Sequence, residues 1–154
     1  MADHDHSTTI TTLNTLIATT IDSVNGYENS AKDIENTRLQ QLFRERADER
    51  QKVVEDLRNE VRRLGGNPED DGSFMGKTHQ RFEDLKAAIT GQDDKAIINE
   101  VERGEDYLKE KWQAALQSGD LDGESHDVVE RCYQSIKQGH DQMSQLKHGM
   151  ETSA

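Results

Sequence analysis

Four long stretches of this chain carry apolar side chains at steps of three and four, and no proline interrupts any of them. The first stripe is Ile10, Leu13, Ile17, Ile21, Val24 and Ala31. The second is Leu39, Leu42, Phe43, Ala47, Val53, Val54, Leu57, Val61 and Leu64. The third is Ile97, Ile98, Val101, Leu108, Trp112 and Ala115, and the fourth Val129, Cys132, Tyr133, Ile136, Met143 and Leu146. Steps of three and four place these residues on one helical face, so each stretch is an amphipathic helix needing partners. The expected helices run over residues 8–36, 39–64, 93–117 and from the Ser118–Gly123 turn to about His148.

The connections select the topology. Asn36-Thr37 is a tight turn, and Ser118-Gly119-Asp120-Leu121-Asp122-Gly123 is a short loop, so each flanking pair is an antiparallel hairpin. The second helix stops at Gly65-Gly66 ahead of the lone Pro68. The link that follows is much longer and carries its own apolar set, Phe74, Phe82, Leu85, Ala88 and Ile89, ending at Gly91. At 1.5 Å per residue the first two helices are each roughly 40 Å long, and a link of this length can cross from one end to the other. The pattern predicts an all-α bundle of two hairpins joined by a long crossover that contains a short extra helix. Residues 8–148 form the bundle, with polar tails at 1–7 and 149–154.

Hydrophobic content is 31% and charged content 32%. Long helices need only narrow seams of core, so a low apolar fraction suits this architecture. The formal net charge of -12 disfavours nucleic acid, whose phosphates demand clustered Lys and Arg. It equally disfavours an anionic membrane surface, and no apolar run approaches the ~18 residues of a transmembrane helix. No basic-then-apolar leader is evident, and the single Cys132 fits a reducing compartment. Cytoplasm is the expected location. Partners, if any, are a second copy or another protein meeting the exposed helix faces.

Polar residues on the stripes are the features that bear on function. Glu28 falls where an apolar residue is expected after Val24, Glu105 lies between Val101 and Leu108, and His140 lies between Ile136 and Met143. Glu49 flanks the second stripe. A carboxylate facing a core costs several kcal/mol unless it is paired, protonated or bound to a cation. Distance from the hairpin turns places Glu28 and Glu49 within about one helical turn of each other in height. Glu102 and His140 match in the second hairpin, and Glu105 lies one turn nearer the loop. The expected cluster is therefore Glu28, Glu49, Glu105 and His140, with Glu102 substituting for Glu105 if height decides. As a metal site it would offer one imidazole nitrogen and several carboxylate oxygens, a set suited to iron, manganese or zinc. Without metal, Lys52 or Lys137 would neutralise the glutamates. Arg44, Arg46 and Arg50 lie among acids and read as a solvated face. Tyr27 and Tyr133 are expected to find hydrogen-bond partners if buried, and Cys132, if buried, to be inert.

The segments Asn25-Gly26-Tyr27-Glu28, 60–68 (Glu-Val-Arg-Arg-Leu-Gly-Gly-Asn-Pro), 85–91 (Leu-Lys-Ala-Ala-Ile-Thr-Gly) and 102–106 (Glu-Arg-Gly-Glu-Asp) resemble a bacterial family of ferritin-like four-helix-bundle proteins of unassigned function. The resemblance covers about residues 8–148. It implies a ferritin-like bundle in the bacterial cytoplasm, and the wider superfamily implies iron or manganese held by Glu-x-x-His motifs on two helices. This chain departs from that pattern. Lys52 stands where the histidine partner of Glu49 belongs, and Lys137 where the glutamate partner of His140 belongs. A charged lysine cannot ligate metal. The resulting expectation is a non-enzymatic or stress-associated helical protein with a degenerate carboxylate/histidine cluster. The alternative is an iron- or manganese-binding redox or storage protein with the metal inside the bundle.

Overall fold

The structure is a computed structural model describing residues 2–70 and 94–153, with side chains placed over 6–70 and 94–149. Helix α1 is Ala2–Asp33, α2 Thr37–Arg63, α3 Asp94–Gln117 and α4 Gly123–Ser153. No strand occurs among the described residues, and none of their helices is long and apolar enough to cross a membrane. The protein is all-α, as the stripes predict. Helix α1 starts and α4 ends several residues outside the bounds expected from the apolar pattern. That pattern registers packing, whereas helical hydrogen bonding continues past the last packed turn. The short helix expected from Phe74 to Ile89 lies outside the described residues.

Local chemistry sets the helix ends. The Asn36 side chain accepts from Leu39 N at 3.1 Å and caps α2. At the other end, Gly65 adopts φ 86°. Its N–H donates to Arg62 O at 2.9 Å, and Gly66 N–H to Val61 O at 2.9 Å. This pair of bonds closes a helix on a left-handed glycine. A Cβ on Gly66 would stand 2.9 Å from two Ile10 methyls, so α1 packs directly on that backbone. Asp122 caps α4, accepting from Ser125 N at 3.0 Å.

Contacts at the two ends fix the topology. At one end, Asn14 of α1 donates to Asn67 O at 3.1 Å and accepts from Glu69 N at 2.8 Å. Thr9 donates to Asp120 O at 2.8 Å, bringing the α3–α4 loop to the same end. At the other end, Asp94 accepts from Glu35 N at 2.9 Å and Asn36 N at 3.0 Å. Helix α2 therefore leaves the bundle beside the start of α1, while α3 enters beside the α1–α2 turn. The directions are up, down, down, up. Helix α1 neighbours α2 and α3, and α4 neighbours the same two, leaving α2 and α3 on one diagonal.

The core divides into two apolar clusters. One holds Leu13, Ile17, Val54, Leu57, Trp112, Val129 and Ile136, with Trp112 Nε1 donating to Thr20 Oγ1 at 3.3 Å. The other holds Val24, Tyr27, Ile34, Phe43, Ala47, Ile98, Val101 and Met143. On every helix the break falls at one level: between Ile21 and Val24, Ala47 and Val53, Val101 and Leu108, Ile136 and Met143. Arg50, Glu105 and Gly139 fill that level.

Asp94 ties the start of α3 to the α1–α2 turn through two charge-assisted bonds in a water-accessible setting. Asp94→Ala should lower stability by about 1–2 kcal/mol. Amide exchange at Glu35 and Asn36 should speed up strongly, with Gly65 and Gly66 unchanged, as hydrogen-exchange NMR would measure.

Candidate functional site

The level between the two apolar clusters is polar and dry. Arg50 is 0% exposed and Glu105 2%. Arg50 Nη2 donates to Glu105 Oε2 at 2.8 Å, and Arg50 Nη1 donates to Ser23 Oγ at 2.7 Å. Tyr27 is buried, and its hydroxyl donates a short hydrogen bond to the same Glu105 oxygen. The guanidinium carbon lies 5.6 Å from the Tyr27 ring centroid, a cation–π distance. Phe43 meets the Tyr27 ring edge-on at 5.5 Å between centroids. One guanidinium on α2 thus reaches α1 and, across the diagonal, α3.

The fourth helix contributes an absence of side chain. A Cβ at Gly139 would overlap Arg50 Nη2 and crowd Arg46 Cδ and Nε at 3.2 Å. Glycine in mid-helix costs roughly 1 kcal/mol against alanine; here it admits two arginines. Arg46, also buried, donates to Glu49 Oε1 at 2.7 Å and makes a short bond to Gln142 of α4. Within the layer, Arg50 Nε and Glu105 Oε1 make no hydrogen bond to any described residue. Both belong to the same ion pair. Nε shares with Nη2 the guanidinium edge that pairs side-on with carboxylates, and a turn of the Glu105 carboxyl would join the two as the second bond of a bidentate pair.

The expected cluster divides in the structure. Glu105 is buried on its stripe, as its spacing requires. Glu28 is exposed: the stripe runs Val24, Tyr27, Ala31, so the aromatic ring takes the inward position assigned to the glutamate. Glu49 is exposed too, its carboxylate turned back onto Arg46. Neither lysine reaches a buried glutamate. Lys52 is exposed, and Lys137 pairs with Asp141 at 3.1 Å. Arg50, read from the sequence as solvated, supplies the neutralising charge instead. Tyr133 finds its partner in Gln113 Nε2 at 3.0 Å. Cys132 is buried, and burial first, then nearby Asp56, pushes its thiol up to about 11. It is therefore a poor nucleophile at neutral pH.

Glu102 and His140 come together at the rim of the α3–α4 seam, joined by Asp106. His140 Nε2 lies 2.6 Å from Asp106 Oδ1 and His140 Nδ1 3.1 Å from Asp141 Oδ1. One ligand atom from each of Glu102, Asp106 and His140 lies within 4.8 Å of the others. Lys147 stands 3.4 Å from Glu102 Oε1. Hydrogen bonding to His140, then to Lys137, holds the Asp141 carboxyl below its usual range.

A second buried carboxylate fastens one end of the bundle. Glu60 pairs with Arg63 at 2.6 Å and accepts from Ser125 Oγ at 2.6 Å, linking α2 to the start of α4. The Arg63 hydrogen bonds hold its carboxyl below the ordinary value against the opposing effect of burial.

Burial first, then the negative charge of Glu105, pushes the Tyr27 phenol well above its ordinary value, with Arg50 pulling the other way. The folded state therefore favours the protonated phenol. That contribution is complete below the unfolded-chain value near 10 and is lost as pH rises beyond it. Stability should fall above about pH 10 with a slope approaching 1.4 kcal/mol per pH unit from this group. Tyr27→Phe should flatten that slope in urea unfolding series at rising pH.

Residues 8–118 match the family described as a domain of unknown function, DUF2383, and no curated protein matches the sequence. The matched segment spans most of the chain and holds Ser23, Tyr27, Arg50 and Glu105; Gly139 and His140 lie beyond it. This chain belongs to the DUF2383 family of domains of unknown function.

Proposed function

We propose that this chain is a non-enzymatic bundle of the ferritin-like type, in which an internal guanidinium takes the place of an interior metal ion. The observation carrying this reading is the Arg50–Glu105 pair, 2.8 Å long, with the two side chains 0% and 1% exposed. A ferritin-like resemblance implies iron or manganese ligated inside the bundle, and the residues here do not fit that group. Glu105, the one expected ligand in the interior, already accepts from Arg50 and Tyr27 on one oxygen. Glu28 and Glu49 are exposed, and a cation at Glu105 would face the positive charge of Arg50 at close range.

With its interior closed by its own side chains, the protein would act through its outer faces. The net charge of -12 suits a protein or second-copy partner better than nucleic acid. The lone, unreactive Cys132 accords with a reducing bacterial cytoplasm.

Ferrous iron added in air, followed by the ultraviolet absorbance of the ferric product, tests the reading. The chain should oxidise iron no faster than buffer alone. Turnover above the buffer rate would contradict a non-enzymatic bundle, and its loss in Glu105→Gln would place the activity in the interior.

A further inference from the structure

We propose that Glu102 and Asp106 of α3, with His140 of α4, form a divalent-cation site at the rim of the bundle, distinct from the interior ion pair. Glu102 and Asp106 are four residues apart and share one face of α3. His140 meets that face from the neighbouring helix. The three ligand atoms already lie within 4.8 Å of one another. Two ligands on a tetrahedral ion with bonds near 2.0–2.1 Å stand roughly 3.3 Å apart. Asp106 Oδ1 stands 2.6 Å from His140 Nε2, inside that spacing, so the pair must open slightly to admit an ion. The His140 and Glu102 side chains are only 14% and 13% exposed, so two of the three ligands are held by packing.

The orientation of His140 is the second support. Its Nδ1 faces Asp141 Oδ1 at 3.1 Å, and Asp141 lies outside the ligand set. Metal-ligating histidines commonly donate their other ring N–H to such a carboxylate, which fixes the ring and directs the remaining nitrogen at the ion. A neutral imidazole has one N–H. With that hydrogen on Nδ1, Nε2 turns its lone pair toward Asp106 Oδ1, the direction in which an ion shared by the two would lie. The nearby lysines compete: Lys147 leans on Glu102, and Lys137 on Asp141. One imidazole nitrogen with two carboxylates suits zinc, cobalt(II) or nickel over magnesium or calcium, which favour all-oxygen sets.

Calorimetric titration of the tag-free, chelator-washed chain with zinc chloride tests the site. One zinc should bind per chain. His140→Ala and Asp106→Asn should each weaken binding by at least about tenfold, and Asp141→Asn by about tenfold through the ring orientation. Lys147→Gln should strengthen it by freeing Glu102, which a purely structural ion-pair cluster would not do. Circular dichroism would check that each variant keeps its helices. The proposal fails if the parent chain shows no saturable zinc binding. It fails equally if binding persists unchanged in both His140→Ala and Asp106→Asn, since the ion would then be held elsewhere.

Discussion

The buried pair between Arg50 and Glu105 is the interaction on which the rest of the bundle is arranged. It joins helices α2 and α3, which lie on a diagonal and share little direct packing. Ser23 and Tyr27 of α1 bind the two ends of the pair, and Gly139 of α4 makes room for it. A single layer therefore ties all four helices at one height. Apolar seams alone tolerate sliding by a turn, because one leucine stripe resembles another. A charge that must meet its partner in a dry interior does not tolerate it. Such a pair is weak as a source of net stability, since desolvation offsets most of the attraction, but breaking it by half is severe. We attribute to it the register of the bundle rather than its strength, which comes from the apolar clusters above and below.

Placing a guanidinium there has consequences for chemistry. Arginine stays charged at any physiological pH, is planar, and presents several donors at once. It neutralises Glu105, reaches Ser23 and stacks against Tyr27 without exchange with solvent. A metal ion in the same place would be labile and chemically active; the guanidinium is neither. Ligand-type side chains of more than one helix meet instead at the rim, where Glu102 and His140 are mostly covered and Asp106 is exposed at the seam of α3 and α4.

Much of this was legible in the sequence, and the omissions have physical reasons. The helices, the two hairpins and the long crossover followed from periodicity and connection length, because packing needs long uninterrupted stripes. Glu105 was legible because Val101, Glu105, Leu108 and Trp112 step by four, three and four. Arg50 obeys the same rule with Phe43, Ala47, Val54 and Leu57, yet the acids around it masked the signal: a long cationic side chain on a charged helix usually reaches water. The inward position expected of Glu28 falls one residue earlier, at Tyr27. Tyr27 satisfies the spacing between Val24 and Ala31 equally well, and a phenol that can donate to a carboxylate is the cheaper residue to bury. Asp106 lies off the stripe, on the seam rather than the core, where periodicity carries no information. Gly139 could not have been read at all, since the need for an absent side chain appears only when Arg50 is seen against it.

The register of the bundle depends on the energetic coupling of the layer. Its direct measure is a double-mutant cycle of Arg50→Met and Glu105→Leu, read by urea unfolding in chelator. Each single change should cost about 3–5 kcal/mol, because each strands a buried charge, and the double change should cost far less than their sum. Additive costs, or singles that leave stability within about 0.5 kcal/mol of the parent, would show that the pair does not hold the bundle's interior.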